Sequence, residues 1–374
     1  MSSSTSRPRC FRSSSPGIDD GVVSIHIEEI DAPESLDGPD GVEFAEYLRV
    51  RNAVEAGTLG TDLLAPGLPQ ILSEYQNTPH RVRRHFAARL DGRIVGRALI
   101  TSRPVTPETG VHLMVDVVPA HRGAGFGTRL ADLVEGLAID AGAPVLKATL
   151  PHTFTASGER ILAATGVGDV PADDPGARFL RARGYVLEQV ARISLLDLAG
   201  IGERLGPHRV AAADDYELVE WSGPTPDEHA ADVAVLRTGM STDAPLGGLV
   251  MVVDEWDAAR VREHDARIAE SGRVMHTAAA RHATTGRLVG YSEVAVVAEN
   301  PVATQEDTLV LREHRGHGLG MRLKAATSIA LGRVAPHVTA IVTWNAEENR
   351  PMLDVNEALG FRAIGYEGSW QKRP

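Results

Sequence analysis

One short segment of this chain occurs twice. His121-Arg122-Gly123-Ala124-Gly125-Phe126-Gly127-Thr128-Arg129-Leu130 is echoed by His314-Arg315-Gly316-His317-Gly318-Leu319-Gly320-Met321-Arg322-Leu323, an offset of 315 − 122 = 193 residues. Gly92-Arg93-Ile94-Val95-Gly96 and Gly286-Arg287-Leu288-Val289-Gly290 stand in nearly the same relation, 286 − 92 = 194. Two matched features at one offset indicate a duplicated domain. At 374 residues the chain has room for two domains of roughly 180 residues each. The N-terminal unit is placed over 22–200 and the C-terminal unit over 207–374, with Asp197 to His208 as linker. Residues 1–21, rich in Ser, Arg, Pro and Gly, are expected to be a disordered tail. Arg7, Arg9 and Arg12 ahead of the first acid supply an alternative transit-peptide reading.

Bulk properties narrow the partners. No run approaches the roughly 18 apolar residues of a membrane span, so no membrane partner is expected. Nor does the tail carry the apolar core of a secretion signal. The one cysteine, Cys10, cannot form an intrachain disulfide, which fits a cytoplasmic protein. A net charge of −12 argues against a general nucleic-acid binder and is compatible with a cationic acceptor. A monomer and a homodimer are equally consistent with the sequence.

Element signals repeat in the two halves. Val22 to Ile30 reads as a strand and Val42 to Val54 as a helix. A hairpin follows over Arg89-Leu90 and Arg93 to Thr101, turning at Asp91-Gly92. Val111 to Val118 is a strand that stops at Pro119. The helix after the glycines carries Leu130, Leu133, Val134, Leu137 and Ala138 on one face. Val145 to Leu150 is strand-like, Ala177 to Arg183 helical, and Tyr185 to Leu196 closes the unit with alternating strands. The excess segment near Pro151 to Asp174 is expected to be a surface excursion. The second half repeats this order over Ala278 to His282, Arg287 to Val297, Thr308 to Leu311, Leu319 to Gly332, Thr339 to Trp344 and Arg350 to Leu359, with final strands after Gly360. A charged helix, Glu255 to Glu270, precedes it and is expected to cover the sheet edge with a solvated face.

Strand, then Arg-Gly-x-Gly-x-Gly, then helix is an arrangement suited to phosphate. Glycines let amides converge and the backbone approach an anion, and a helix N-terminus adds unpaired N–H groups. The even spacing of Gly123, Gly125 and Gly127 departs from the dinucleotide fingerprint, and no Gly-Lys-Ser/Thr follows for a Walker loop. His314 and His317 are too few for a metal site, so no metal is expected.

Val117-Val118-Pro119-Ala120-His121-Arg122-Gly123-Ala124-Gly125-Phe126-Gly127 resembles motif A of the GNAT superfamily, the acyl-CoA-dependent N-acetyltransferases. The second copy matches from Arg315 to Gly320, with Arg312 in place of Pro119. Asn345 to Phe361 resembles motif B, with Asn349 at the asparagine position. The duplicated arrangement is similar to that of mycothiol synthase and other actinobacterial tandem members. This resemblance implies an α+β fold of two tandem domains. Each would be a mixed, mostly antiparallel sheet with a splayed parallel strand pair and flanking helices. It implies acetyl-CoA as cosubstrate. Its pantetheine would lie against the backbone of Val117 and Val118, or Val310 and Leu311. Its diphosphate would lie on Arg122, Gly123, Gly125 and Gly127, or on Arg315, Gly316, His317, Gly318, Leu319 and Gly320. Arg129 and Arg322 would add charge, and Asn349 would belong to the second cofactor site.

Acetyl transfer to an amine needs a base, because an alkylammonium with a pKa near ~10.4 has no lone pair. It also needs N–H donors for the oxyanion and a proton for the departing thiolate. In the second half Glu293, Glu306 and Asp307 lie on the strands before the loop. Their counterparts by the two offsets are Leu99, Leu113 and Met114. Catalysis is therefore expected in the C-terminal unit, on a small-molecule amine, with the N-terminal unit structural or less active. Protein N-terminal acetylation and a non-catalytic acyl-CoA-binding module are the alternatives. The tyrosine that many members carry four residues before the Gly-aromatic pair is replaced by Leu180 and Asn356. Tyr366 and Tyr291 remain candidate acids by proximity in sequence.

Overall fold

The computed structural model describes residues 25–153, 158–210, 215–243, 245, 247–250, 253–298 and 300–374; the expected tail over 1–21 lies outside them. The N-terminal half runs β1 (His26–Ile30), α1 (Gly38–Leu59), α2 (Leu68–Tyr75), β2 (Val82–Leu90), β3 (Arg93–Ser102), β4 (Val111–Val117), α3 (Phe126–Asp140) and β5 (Leu146–His152). A small hairpin, β6 (Arg160–Leu162) and β7 (Asp169–Pro171), comes next, followed by α4 (Pro175–Ala182) and β8 (Val186–Asp197). The rest is α5 (Ile201–Val210), β9 (Tyr216–Ser222), α6 (Ala230–Asp243), α7 (Ala258–Glu270), β10 (Arg273–His282), β11 (Leu288–Val297), β12 (Val302–Val310), α8 (Leu319–Val334), β13 (Ala340–Ala346), α9 (Arg350–Leu359) and β14 (Arg362–Lys372).

Both halves contribute to one twelve-stranded sheet, in the order β1-β2-β3-β4-β5-β14-β8-β13-β12-β11-β10-β9. The expected closing strands of each unit are single long strands, and they are exchanged. β14 pairs antiparallel with β5 of the first half, and β8 with β13 of the second. They also pair with each other along the middle of the sheet, which leaves neither half an open edge there. Trp370 fixes the exchange. It is fully buried in the N-terminal core, and its indole nitrogen lies 3.4 Å from Nε2 of His152. The segment expected as a linker is instead largely α5, which buries Ile201 and Leu205 against the core around α8.

Each half contains one parallel pair that parts. β4 and β5 are paired only at Val111↔Leu146 and His112↔Lys147. β12 and β13 are paired from Val302↔Ala340 to Thr304↔Val342. Alternation along the strands sorts the helices in the first half. Ala98, Ile100 and Leu113 pack with Phe126, Leu130 and Val134 of α3, whereas Leu99 and Met114 pack with α1 and α2. Gly96 and Gly290 let the motif helices close onto the sheet. A Cβ at Gly96 would lie 3.2 Å from Leu130, and one at Gly290 3.4 Å from Leu323. The charged helix expected to shield an edge is α7, which buries Val261 and Ile268. No helix among the described residues is long and apolar enough to cross a membrane.

Candidate acyl-transfer site

Both glycine corners have the same backbone. Gly123 and Gly125 have φ of 78° and 85°, and Gly316 and Gly318 have 85° and 69°, left-handed values that favour glycine. A Cβ at any of these four would project into open space. Gly125 and Gly318 are the N-caps of α3 and α8, and neither helix has a side-chain cap. The first-turn amides are therefore left pointing into each corner, an anion cradle made of main chain. Arg122 and Arg315 each donate Nε to the last strand carbonyl, Val117 at 3.1 Å and Val310 at 3.0 Å. They differ beyond that. Arg315 is paired with Asp243, while Arg122 forms no ion pair among the described residues. Arg322 is committed to the carbonyls of Arg209 and Tyr216, so it adds no free charge to its loop.

The strand residues need one correction. The N–H groups of Val118 and Leu311 donate to Val95 and Val289 in the hairpins and cannot bond a ligand. Antiparallel alternation turns their neighbours, Val117 and Val310, toward the splays instead. His317 packs at a tilt against Tyr216, whose hydroxyl meets Nδ1 of His314 at 3.0 Å. Asn349 caps α9, its Oδ1 accepting from the Met352 amide.

The β4–β5 splay opens into a cavity of about 220 Å³ that passes through the sheet. On the α3–α4 side Ala131, Phe179, Leu180 and Tyr185 line it. On the α1 side the lining is Arg51, Glu55, Met114 and Glu367. Glu55 is ion-paired with Arg51 at 2.7 Å. Glu367 arrives on the exchanged strand β14, opposite Pro151 of β5. Its carboxylate has no hydrogen bond or ion pair among the described residues. Burial pushes its pKa up to about 7, with Glu55 raising it further and Arg51 drawing it back. Neither acid stood out in the sequence. Glu55 lies mid-helix and Glu367 belongs to the other half's numbering, so no offset connects them with the first cleft.

The three acids expected to be catalytic occupy a different environment. β12 bulges where Glu306 and Asp307 together face Glu293, between Ser292↔Thr308 and Val294↔Gln305. Glu293 is 2% exposed, accepts from Arg237 at 2.7 Å and accepts from Thr277 at 3.2 Å. Burial raises its pKa, and Arg237 opposes that. Asp307 accepts from the Tyr291 hydroxyl at 2.8 Å and lies 3.7 Å from Arg237. Glu306 lies 3.9 Å from Arg273 on the other side of the bulge. Tyr366 packs against the α3-side core.

In the C-terminal unit the positions matching Ala131 and Tyr185 hold Lys324 and Phe361. Lys324 is 1% exposed with its amine 5.1 Å over the Phe361 ring. Gln305 donates to the Glu293 carbonyl at 2.6 Å, and Asn356 to Asn345 at 2.6 Å. Among the described residues, larger side chains thus stand where Ala131 and its neighbours border the cavity of the first unit.

Comparison with known proteins agrees with this geometry. The acetyltransferase (GNAT) family model matches residues 60–157, within the N-terminal unit. A tandem GNAT protein from the clavulanic acid biosynthesis pathway is 25% identical, with a TM-score of 0.71 over 93% of this chain and 98% of its own. A GCN5-related N-acetyltransferase from Sphaerobacter thermophilus is 15% identical, with a TM-score of 0.62 over 94% of this chain and 96% of its own. No curated protein sequence matches the chain. Two glycine corners, two splayed pairs and one shared sheet define an acyltransferase fold, one that takes its acyl group from an acyl-CoA. The chain thus carries a GNAT-family match in its N-terminal unit and is similar along its length to a tandem GNAT protein.

Proposed function

We propose that this protein is an acetyl-CoA-dependent N-acetyltransferase of small primary amines whose working cleft is in the N-terminal unit. The carrying observation is the cavity through the β4–β5 splay, which joins the α3 side to a pair of carboxylates, Glu55 and Glu367. This reverses the division of labour expected from the one-sided acids. Three features support the reversal: the sealed Glu293–Arg237 pair, Lys324 in place of Ala131, and Arg315 neutralised by Asp243.

The residues present suit the cosubstrate. Gly123, Gly125 and Gly127 with the α3 amides would hold the diphosphate, and Arg122 would add charge. The backbone of Val117 and Val115, turned to the splay, would hold the pantetheine arm. When bound, the thioester supplies an activated acyl carbon. Glu367 takes the proton from the incoming ammonium, and its pKa near neutrality suits that exchange at physiological pH. Glu55, held by Arg51, orients the amine. N–H groups along β4 that have lost their β5 partners are placed to stabilise an oxyanion. The thiolate takes its proton from the acylated nitrogen through solvent.

Thiol release from acetyl-CoA, followed across a panel of amines, tests this reading. Turnover that survives Glu367→Gln and Gly125→Ala but is abolished by Gly318→Ala would return the reaction to the C-terminal unit.

A further inference from the structure

We infer that the acceptor amine carries an oxyanion, a carboxylate or a phosphate, bound in a basic basin that both halves of the chain build. This rests on the proposed amine acetylation in the N-terminal cleft. The acyl cleft is not a closed end. His112 and Met114, which line it, also line a second cavity, of about 320 Å³, together with Arg81, Arg83, Arg103 and Lys147. That cavity shares Tyr75 and its three arginines with a third, of about 440 Å³, where α7 adds Arg260, His264 and Arg267 and β10 adds Arg273. The acyl cleft with Glu367 and Glu55 therefore adjoins, across His112 and Met114, a basin between the halves.

The basin has surplus positive charge. Arg260 is matched by Asp254, and Arg273 by Glu74. The Arg83 guanidinium donates to the Gln76 carbonyl and the Lys147 amine to the Val250 carbonyl, and neither forms an ion pair among the described residues. Arg81, Arg103 and Arg267 form no ion pair among the described residues. Two neighbouring histidines respond to this field. Burial and the surrounding cations hold His112 down to about 4 and His264 down to about 3, so both stay neutral. Three guanidiniums with no ion-pair partner among the described residues face one cavity, an arrangement suited to an anion.

The cosubstrate's diphosphate is not that anion. The glycine corner follows the C-terminal end of β4, while Gly110 and His112 mark the basin's end. Seven residues of strand separate the two by about 20 Å. The net charge of −12 is compatible with a cationic acceptor, whereas the local charge at this face is positive. An amine with an oxyanion at its far end suits both sites, with its ammonium at Glu367 and its anion at the arginines.

Isothermal titration of the full chain with inorganic phosphate, and separately with malonate, tests this directly. Saturating CoA is kept present so that the glycine corners are filled. At least one of the two anions is expected to bind, roughly 10- to 100-fold more weakly in an Arg81→Gln/Arg103→Gln variant. Phosphate alone would assign a phosphorylated amine, malonate alone a carboxylated one. In turnover, an ω-amino acid or amino-sugar phosphate should exceed its uncharged counterpart mainly through KM. Binding of neither anion, or equal binding by wild type and variant, overturns the inference. Anion binding that the variant loses, with no amine acetylated, leaves the basin standing and counts against the acetyltransferase reading alone.

Discussion

Lys324 stands where the other half of the chain has Ala131, and that exchange distinguishes the two clefts. The alanine borders a cavity; the lysine buries its amine against Phe361. Desolvation lowers the lysine to about 7 from an unfolded value near 10.5. With a folded pKa below the unfolded one, the penalty is absent at high pH and grows as pH falls from 10.5 towards 7. Lys324→Met should therefore stabilise the protein by roughly 1–3 kcal/mol near pH 7, and by much less near pH 10. Chemical denaturation at the two pH values measures this; an equal effect at both would refute the buried-amine account.

Glu293, one of the three acids expected to be catalytic, is buried in an ion pair with Arg237, and the proposed N-terminal cleft leaves it a structural part. Removing it leaves the Arg237 guanidinium buried, with Asp307 at 3.7 Å as its remaining counter-charge. Glu293→Ala should cost about 3 kcal/mol of stability or more. Turnover per folded molecule should stay within about twofold of wild type. Thermal melts combined with thiol release separate these effects. A large fall in kcat with an unchanged melting point would restore Glu293 as a base.

Much of this architecture was legible. The repeated Arg-Gly-x-Gly-x-Gly corner and the Gly92–Gly96 and Gly286–Gly290 segments marked two copies, because left-handed backbone at Gly92, Gly123, Gly125, Gly286, Gly316 and Gly318 and close helix packing at Gly96 and Gly290 both favour glycine. What escaped is non-local. Nothing in β8 or β14 says which sheet each joins, since two closing strands of similar length and patterning fit either edge. That ambiguity hid Glu367 from its own cleft. A comparison at one offset pairs residues of equal rank in the two copies, so it found Glu293 against Leu99. A side chain lent across the pseudo-symmetric centre was invisible to it. The basic basin escaped for the same reason: Arg81 and Arg103 lie in one copy, Arg267 in the other.

The glycine corners give a comparison that does not depend on the acceptor. Gly125 is at φ 85° and Gly318 at φ 69°, and alanine at either costs about 1–2 kcal/mol in local conformation. If the first corner holds the diphosphate, Gly125→Ala should weaken acetyl-CoA binding by roughly tenfold and slow turnover accordingly. Gly318→Ala should leave turnover close to wild type. Titration calorimetry and steady-state kinetics on the two variants decide between the corners. The reverse pattern would move the cosubstrate to the C-terminal unit.

Glu367 offers the most specific test, because the exchanged strand and the proposed chemistry meet in it. Its carboxyl is raised to about 7, so the wild-type rate should climb with pH as that group ionises. Its neighbour Glu55 makes the measured value a property of the pair. Glu367→Gln keeps the shape and removes the base. It should lower kcat by about 10²–10³ and abolish the limb near neutrality, leaving a rate that follows only the free-amine fraction of the acceptor. Trp370 and its contact with His152 are untouched by that change, so the exchanged strand should remain seated and acetyl-CoA should bind as before. A pH–rate profile that keeps its inflection near 7 in Glu367→Gln would place the base elsewhere, with Glu55 the next carboxylate on the same wall of the cavity.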